Sequence, residues 1–210
     1  MTRYPRFADR TDAGVRLAAV VRARLRAPVD LVLGLPRGGV IVARAVADEL
    51  GLPLDVIVVR KVGAPGAEEF AIGAIAEGGI RVLDTALAAR FAPDAVDRVE
   101  RAERDELRRR VAEYRGERAL DVAGRAVLVV DDGVATGSTA LAACLAVRSL
   151  GAARVVVAAP VAAPDWREVL GDEADECIAL AEPDPFLAVG RFYDAFPSTT
   201  DEEVRAALGA

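Results

Sequence analysis

The stretch VLVVDDGVATGST, residues 127–139, runs from an apolar segment through two adjacent carboxylates into small and hydroxyl-bearing residues. Val127 to Val130 have the length and branched side chains of a buried strand. Gly133 and Gly137 let the backbone approach a ligand, and the N–H groups that begin the next helix suit a phosphate. Two carboxylates beside a phosphate suit neutral sugar hydroxyls or a hydrated Mg²⁺ ion. The stretch therefore predicts a site for a phosphorylated sugar; the alternative is a helix cap with a tight turn.

Strand and helix patterns alternate along the rest of the chain. Apolar strands are predicted over residues 30–35, 54–61, 125–132, 154–161 and 176–182, with two short strands within 71–83. Helices are predicted over residues 11–26, 39–51, 94–118 and 138–150. Apolar runs separated by helices indicate a parallel sheet that is covered on both faces. We therefore expect an α/β fold, with a Rossmann-like parallel sheet flanked by helices, in a single domain over residues 1–210.

Composition narrows the classes of function. The chain has 210 residues, a net charge of −6 and no histidine, which excludes Ser-His and Cys-His nucleophiles and argues against zinc. The negative charge argues against a nucleic-acid partner. No apolar run is long enough for a membrane span or a leader, so we expect a soluble, cytoplasmic protein without a membrane partner. Cys144 and Cys177 are expected to be free thiols. Walker, GxGxxG and GxSxG motifs are absent from the sequence.

A phosphate group with vicinal hydroxyls about a ribose away describes a 5-phosphoribosyl group. Residues 127–139 resemble the thirteen-residue phosphoribosyl pyrophosphate (PRPP) motif of type I phosphoribosyltransferases, except that Ser138 replaces a glycine. The resemblance covers about residues 28–160. It implies that Asp131 and Asp132 bind the ribose hydroxyls and Mg²⁺, with Asp132 also catalytic. It further implies a 5-phosphate loop of Gly133, Val134, Ala135, Thr136, Gly137, Ser138 and Thr139.

The family resemblance implies a reaction and an assembly. The expected enzyme transfers the 5-phosphoribosyl group from PRPP to a nitrogen acceptor, with a nucleobase as the expected acceptor, and releases pyrophosphate with the help of Mg²⁺. Members of this fold are commonly homodimers. Hypoxanthine-guanine enzymes carry an aspartate where this sequence has Ala135, which argues against an acceptor of that kind. A PRPP or nucleotide sensor without catalysis is the alternative function on the same fold.

Two further loops fit the same ligand, because ligands bind at the carboxyl ends of parallel strands. GLPRGG, residues 34–39, offers Arg37, Gly38 and Gly39 as a nest for pyrophosphate, or else a plain turn. RKVGAPG, residues 60–66, offers Arg60 and Lys61 to neutralise the departing pyrophosphate, or else an ordinary basic strand end. Lys61 is the only lysine among 27 basic residues, and we expect it to be catalytic. In adenine phosphoribosyltransferases a similar sequence precedes a flexible lid, here about residues 62–76.

Two parts of the predicted site have weaker support. Glu77 lies sixteen residues after Lys61, at the offset of a glutamate that handles a proton in the adenine enzymes, and its alternative role is to cap a turn. A hood that recognises the base is expected from about residues 1–10 and 182–200. Its candidates are the side chains of Tyr4, Phe7, Phe186, Arg191, Phe192, Tyr193 and Phe196. Plain packing of a C-terminal flap or a dimer contact explains these side chains equally well, and the sequence does not name the acceptor.

Overall fold

The computed structural model describes residues 4–209, so residues 1–3 of the expected hood lie outside the described part. The strands of that part are β1 (Leu31–Gly34), β2 (Leu54–Val56), β3 (Val59–Ala64), β4 (Ala67–Ala76), β5 (Arg81–Leu83), β6 (Ala126–Val130), β7 (Arg154–Val161) and β8 (Glu176–Ala181). The α-helices are α1 (Arg10–Arg24), α2 (Gly38–Leu50), α3 (Thr85–Ala88), α4 (Pro93–Arg115), α5 (Ser138–Ser149), α6 (Trp166–Leu170) and α7 (Asp201–Leu208).

A five-stranded parallel sheet in the order β2-β1-β6-β7-β8 forms the centre of the molecule. Successive residues of a strand face opposite sides of the sheet, so each central strand contributes side chains to the apolar cores on both faces. Val32 and Leu128 pack with α1 and α2 on one face, while Leu33 and Val129 pack with α5 on the other. The prediction of an α/β fold with a covered parallel sheet is confirmed.

The strand predicted over residues 54–61 is wrong, because the chain changes sheets inside it. Leu54–Val56 pairs with β1, and Val59 begins a second, antiparallel sheet in the order β3-β4-β5. At the crossing point the Val58 N–H donates to Glu77 Oε1 at 2.9 Å, and the Glu77 N–H donates to the Val58 carbonyl at 3.3 Å. Val56 to Val59 are all apolar, so the sequence pattern does not show that the chain leaves one sheet for the other at this point.

The segment predicted as a lid, residues 62–76, forms most of a β-hairpin with its turn at residues 65–66. Val62 and Ile72 of the hairpin are buried against Val96 of α4. The three-stranded sheet β3-β4-β5 is called the arm below. Because the arm carries Arg60 and Lys61 on β3, its packing fixes where those cations stand relative to the main sheet.

The segment that follows β8, residues 182–209, is called the tail below, and it contains a helix that the sequence analysis missed. Thr200 accepts from the Glu203 N–H, and the Glu203 side chain accepts from the Thr200 N–H, which is the reciprocal capping box that begins α7. Val204 packs against Val40 of α2 and Tyr114 of α4. The tail therefore returns to the helices beside the first loop of the main sheet.

The two cysteines are free thiols, as predicted. Cys144 is buried in the core, and burial raises its pKa to about 12, while Cys177 is half-buried and burial raises its pKa as well. Within residues 4–209 no helix combines the length and the apolar character that crossing a membrane requires.

Candidate active site

One cleft of about 280 Å³ at the carboxyl ends of β1 and β6 brings the three predicted loops together. Its lining is formed by Pro36, Arg37, Gly38, Lys61, Asp131, Asp132, Gly133, Val134, Ala135, Thr136, Gly137, Thr139, Ala140 and Val189. Parallel strands place their following loops at one edge, which is why segments separated by about a hundred residues meet there.

The expected phosphate loop leads into the N-terminus of α5. Gly137 has a φ of 75° and is the N-cap residue, and no side chain caps the helix. A Cβ on Gly137 would lie 2.8 Å from Val169 Cγ1, so glycine is required by space as well as by conformation. The hydroxyls of Thr136 and Ser138 bond to each other at 2.8 Å. Free N–H groups and the helix dipole make this end of the cleft suitable for a phosphate.

The two carboxylates lie next to this loop, largely removed from water. Burial raises the pKa of Asp131, and the neighbouring charge of Asp132 raises it further. Burial also raises the pKa of Asp132, although a hydrogen bond from Arg10 opposes that effect. The Asp132 N–H donates to Asp131 Oδ1 at 2.8 Å, which fixes the two groups relative to each other. The pair favours a ligand that brings hydroxyl donors or positive charge.

These carboxylates fit a Mg²⁺ ion that is held partly by the protein and partly by the substrate, rather than one that protein side chains surround. The described residues contain no group of three or more acidic, cysteine or histidine side chains that could surround a metal. Mg²⁺ commonly keeps several waters and uses one or two carboxylates with substrate phosphates. Asp131 and Asp132 meet that requirement.

The loop after β1 packs directly on the carboxylates. A Cβ on Gly38 would lie 2.0 Å from Asp132 Oδ2, and a Cβ on Gly39 would lie 2.9 Å from the Asp131 Cα. Arg37 precedes α2 and its NH1 lies 3.9 Å from Asp201 Oδ1 of α7. The two glycines therefore allow the loop to approach the carboxylates closely.

Arg60 and Lys61 differ in how they are held. Arg60 Nε donates to Glu103 Oε2 of α4 at 2.7 Å, and both side chains are about three-quarters buried. Among the described residues, Lys61 has no carboxylate within 4.0 Å, and it lines the cleft beside Arg37. Arg60 lines an adjoining groove of about 450 Å³ between the arm and α4, which shares Pro36, Lys61 and Thr139 with the cleft.

Comparison with known proteins shows the family of the chain. The model of the phosphoribosyl transferase domain family matches residues 10–184. The chain belongs to the phosphoribosyltransferase family. The family prediction made from residues 127–139 is thereby confirmed.

A Mycobacterium tuberculosis protein that is described as a phosphoribosyl transferase is 47% identical over 205 residues. The match covers 96% of this chain and 46% of that protein, so the chain spans about half the length of the curated relatives it matches. The crystal structure of TT1426 from Thermus thermophilus is 48% identical, has a TM-score of 0.80, and is covered to 97% in both chains.

Glu77, which the sequence analysis predicted to be catalytic, lies apart from the other site residues. It lines neither the cleft nor the adjoining groove. Its Oε1 and Oε2 accept from Arg115 NH2 at 2.6 and 2.8 Å, and Oε1 also accepts from the Val58 N–H. The contacts of its carboxylate that the structure gives are with Val58, between β2 and β3, and with Arg115 of α4, which is the behaviour of a structural group.

The aromatic residues expected to form the hood pack mainly on one another. Phe7 and Tyr193 are buried with ring centroids 5.3 Å apart, and Phe186 stacks on Phe192 at 5.9 Å. Packing of the chain ends, the alternative given above, therefore accounts for Phe7 and Tyr193. From this segment Val189 is the residue that lines the cleft, and it lies on Gly133.

Sequence reasoning missed Arg10, Val189 and Asp201 at this site. Asp201 follows Thr200 in the capping box described above, a local signal that could have found the helix. Arg10 and Val189 carry no local signal, because their role depends on chain ends that meet only in the folded protein.

Proposed function

We propose that this chain catalyses the Mg²⁺-dependent transfer of the 5-phosphoribosyl group from PRPP to a nitrogen atom of an acceptor, a nucleobase in the first instance, with release of pyrophosphate. The supporting observation is the order of groups along one cleft. An uncapped helix N-terminus, two carboxylates and a cationic loop follow one another, matching a 5-phosphate, a ribose and a pyrophosphate.

Each part of PRPP has a partner of matching chemistry in this proposal. The first turn of α5, with the loop from Gly133 to Thr139, binds the 5-phosphate through N–H groups and hydroxyls. Asp131 and Asp132 accept from the ribose hydroxyls. Backbone N–H groups at Gly38 and Gly39, together with Arg37, bind the pyrophosphate.

Catalysis in this scheme comes from charge stabilisation and positioning. The acceptor nitrogen forms a bond to C1 while the bond from C1 to the pyrophosphate oxygen breaks, and the electron pair leaves with pyrophosphate. Lys61 and Arg37 stabilise the negative charge that develops on that leaving group. Mg²⁺, held by Asp131 and Asp132 with the oxygens of PRPP, would supply further charge neutralisation.

The acceptor must approach C1 from the side opposite the leaving group. Lys61 follows β2 at one edge of the sheet, while the tail that carries Val189 follows β8 at the other edge. We therefore place the acceptor on the Val189 side of the cleft. Since Glu77 lies elsewhere, no residue is assigned as the base that takes the acceptor proton.

The test measures products and PRPP binding in parallel. The protein is incubated with PRPP, Mg²⁺ and a pool of purine and pyrimidine bases, and new nucleotides are identified by mass spectrometry. Lys61→Ala should lower turnover by roughly 10²–10³-fold, the effect typical of removing one group that stabilises developing charge. Arg44→Ala is the control, because Arg44 pairs with Asp48 on the exposed face of α2.

The outcomes separate the enzyme from the sensor. A nucleotide that Lys61→Ala fails to produce supports the transferase and names its acceptor. PRPP binding measured by calorimetry, without a product from any base, supports the sensor. If the wild-type protein does not bind PRPP, the transferase and the PRPP sensor are both refuted.

A further inference from the structure

Arg10 reaches into the site from outside the recognised loops. It is the first residue of α1, and its Nε donates to Asp132 Oδ2 at 2.8 Å. The Arg10 and Asp132 side chains are only 11% and 17% exposed, so solvent weakens this ion pair little. The contact therefore decides where one of the Asp132 oxygens points.

The tail holds Arg10 in place from the other side. Arg10 NH1 donates to the Pro197 carbonyl at 2.7 Å, and its guanidinium lies 3.9 Å from the centre of the Phe196 ring. Asp132 thus accepts from Nε, the Pro197 carbonyl accepts from NH1, and the Phe196 ring lies against the face of the guanidinium. Lysine, with a compact ammonium, cannot make all of these contacts at once.

A second tail residue holds the backbone of the same aspartate. Tyr193 OH donates to the Asp132 carbonyl at 2.6 Å, and the Tyr193 ring packs on Phe196 with centroids 4.8 Å apart. Tyr193 is in turn buried against Phe7, close to the start of α1. Both the side chain and the main chain of Asp132 are therefore fixed by chain ends.

The Arg10–Asp132 pair also touches the loop expected to bind pyrophosphate. A Cβ on Gly38 would lie 2.6 Å from Arg10 Nε and 2.0 Å from Asp132 Oδ2. The ion pair hence packs on the first residue of α2, and a change in Arg10 displaces two PRPP-binding segments together.

We propose that Arg10 is a positioning residue for PRPP: it orients the Asp132 carboxylate and connects the folded-back tail, through Phe196 and Pro197, to the ribose and pyrophosphate loops. This inference rests on the proposed function, because it assigns Arg10 to the same PRPP site. Arg10 acts through Asp132 and not by touching the reacting atoms.

The test compares two arginines of α1 that make the same kinds of contact, Arg16 being the more exposed of the two at 37% against 11% for Arg10. Arg16 also stacks on an aromatic ring, with its guanidinium 4.7 Å from the centre of Phe7, and its NH1 donates to the Arg6 carbonyl at 2.8 Å. Arg16 pairs with Asp12 and not with Asp132. Arg16→Met therefore removes the same kinds of contact as Arg10→Met without changing the site.

Affinity for PRPP with Mg²⁺ is measured by calorimetry at a temperature where circular dichroism shows every variant fully folded. Arg10→Met should weaken binding roughly 10–100-fold, the usual effect of losing a group that orients a ligand-binding side chain. Arg16→Met should stay within about twofold of wild type on the same reasoning. Arg10→Lys should fall between Arg10→Met and wild type, because it restores the charge beside Asp132 and loses the other contacts.

The result that overturns the inference is wild-type affinity in Arg10→Met or, if that variant does not fold, in Arg10→Lys. Equal weakening in Arg10→Met and Arg16→Met also overturns it, because the effect would then follow the packing of α1. Failure of the wild-type protein to bind PRPP instead refutes the proposed function, and the inference with it.

Discussion

Replacing Arg115 by methionine should destabilise the protein strongly, because Arg115 is the buried cation that connects the arm to the main sheet. Its side chain is 2% exposed and contacts Glu77 at 2.6 Å and Asp55 at 3.3 Å. Its NH2 also donates to the Val56 carbonyl at 3.1 Å. Burial works against the charged form, yet the pKa of Arg115 is raised, since the carboxylates of Glu77 and Asp55 outweigh that effect.

The size of the effect follows from what remains after the substitution. Asp55 keeps a partner, since Arg118 lies 2.9 Å away, but Glu77 loses the only ion-pair partner that the described residues give it. Removing one member of a buried ion pair typically costs about 3–5 kcal/mol. In a domain of this size about 1 kcal/mol lowers Tm by about 2–4 °C, so a decrease of roughly 6–20 °C is expected.

Thermal unfolding followed by circular dichroism measures this, with Arg108→Met as the control. Arg108 pairs with Asp105 on the exposed face of the same helix, so its loss should cost less than about 1 kcal/mol. Adding Glu77→Gln to Arg115→Met should recover part of the stability, because no unpaired charge then remains at that position.

The same variants test the role given to Glu77. If Glu77→Gln alone kept the wild-type Tm and PRPP affinity but abolished turnover, Glu77 would be the general base, and its assignment as a structural group would be refuted.

Three further predictions concern the site and the core. Lys61 is the only side-chain amine, so an amine-acylating reagent followed by peptide mass spectrometry should show slower labelling of Lys61 when PRPP and Mg²⁺ are present; an unchanged rate would contradict its place in the site. Gly38→Ala should cost about 1–3 kcal/mol in urea unfolding and weaken PRPP binding, since its Cβ would overlap Asp132, and wild-type values would show that the loop can move. Trp166 Nε1 donates to Glu182, and the pKa of Glu182 is lowered from 4.5 chiefly by its hydrogen bond from Arg167. The ionised Glu182 therefore stabilises the folded protein above pH 4.5, and this stabilisation is lost as the pH falls through the lowered pKa. Fluorescence of this single tryptophan should change with a midpoint below pH 4.5, and Glu182→Gln should remove that transition before circular dichroism shows unfolding.

The sequence predicts the parts of this fold that local patterns determine. Val127 to Val130 form a buried strand because four apolar, mostly branched residues precede a loop, and Gly137 ends that loop because the turn into α5 needs a positive φ. The stretch that resembles the family motif lies on this strand and loop, so the family could be predicted from the same residues.

Sequence patterns fail where the deciding contact is remote. Residues 54–61 contain four consecutive apolar residues and look like one strand, but Leu54–Val56 pairs with β1 and Val59 begins the pairing with β4. The predicted role of Glu77 depended on its spacing from Lys61, whereas its actual partner, Arg115, comes from the end of a helix 38 residues later. A spacing in sequence cannot show which distant charge will be a neighbour.

The cations of the site show why the lone lysine matters. Arg10 is engaged by Asp132, Arg60 by Glu103, and Arg37 faces Asp201. Hydrogen bonds to Asp132 and Glu103 hold Arg10 and Arg60 in fixed directions, as the planar guanidinium favours, whereas the Asp201 oxygen lies 3.9 Å from Arg37. Among the described residues Lys61 has no carboxylate within 4.0 Å. In the proposed reaction its flexible stem would let the ammonium follow the departing pyrophosphate while Arg10 and Arg60 stay in place.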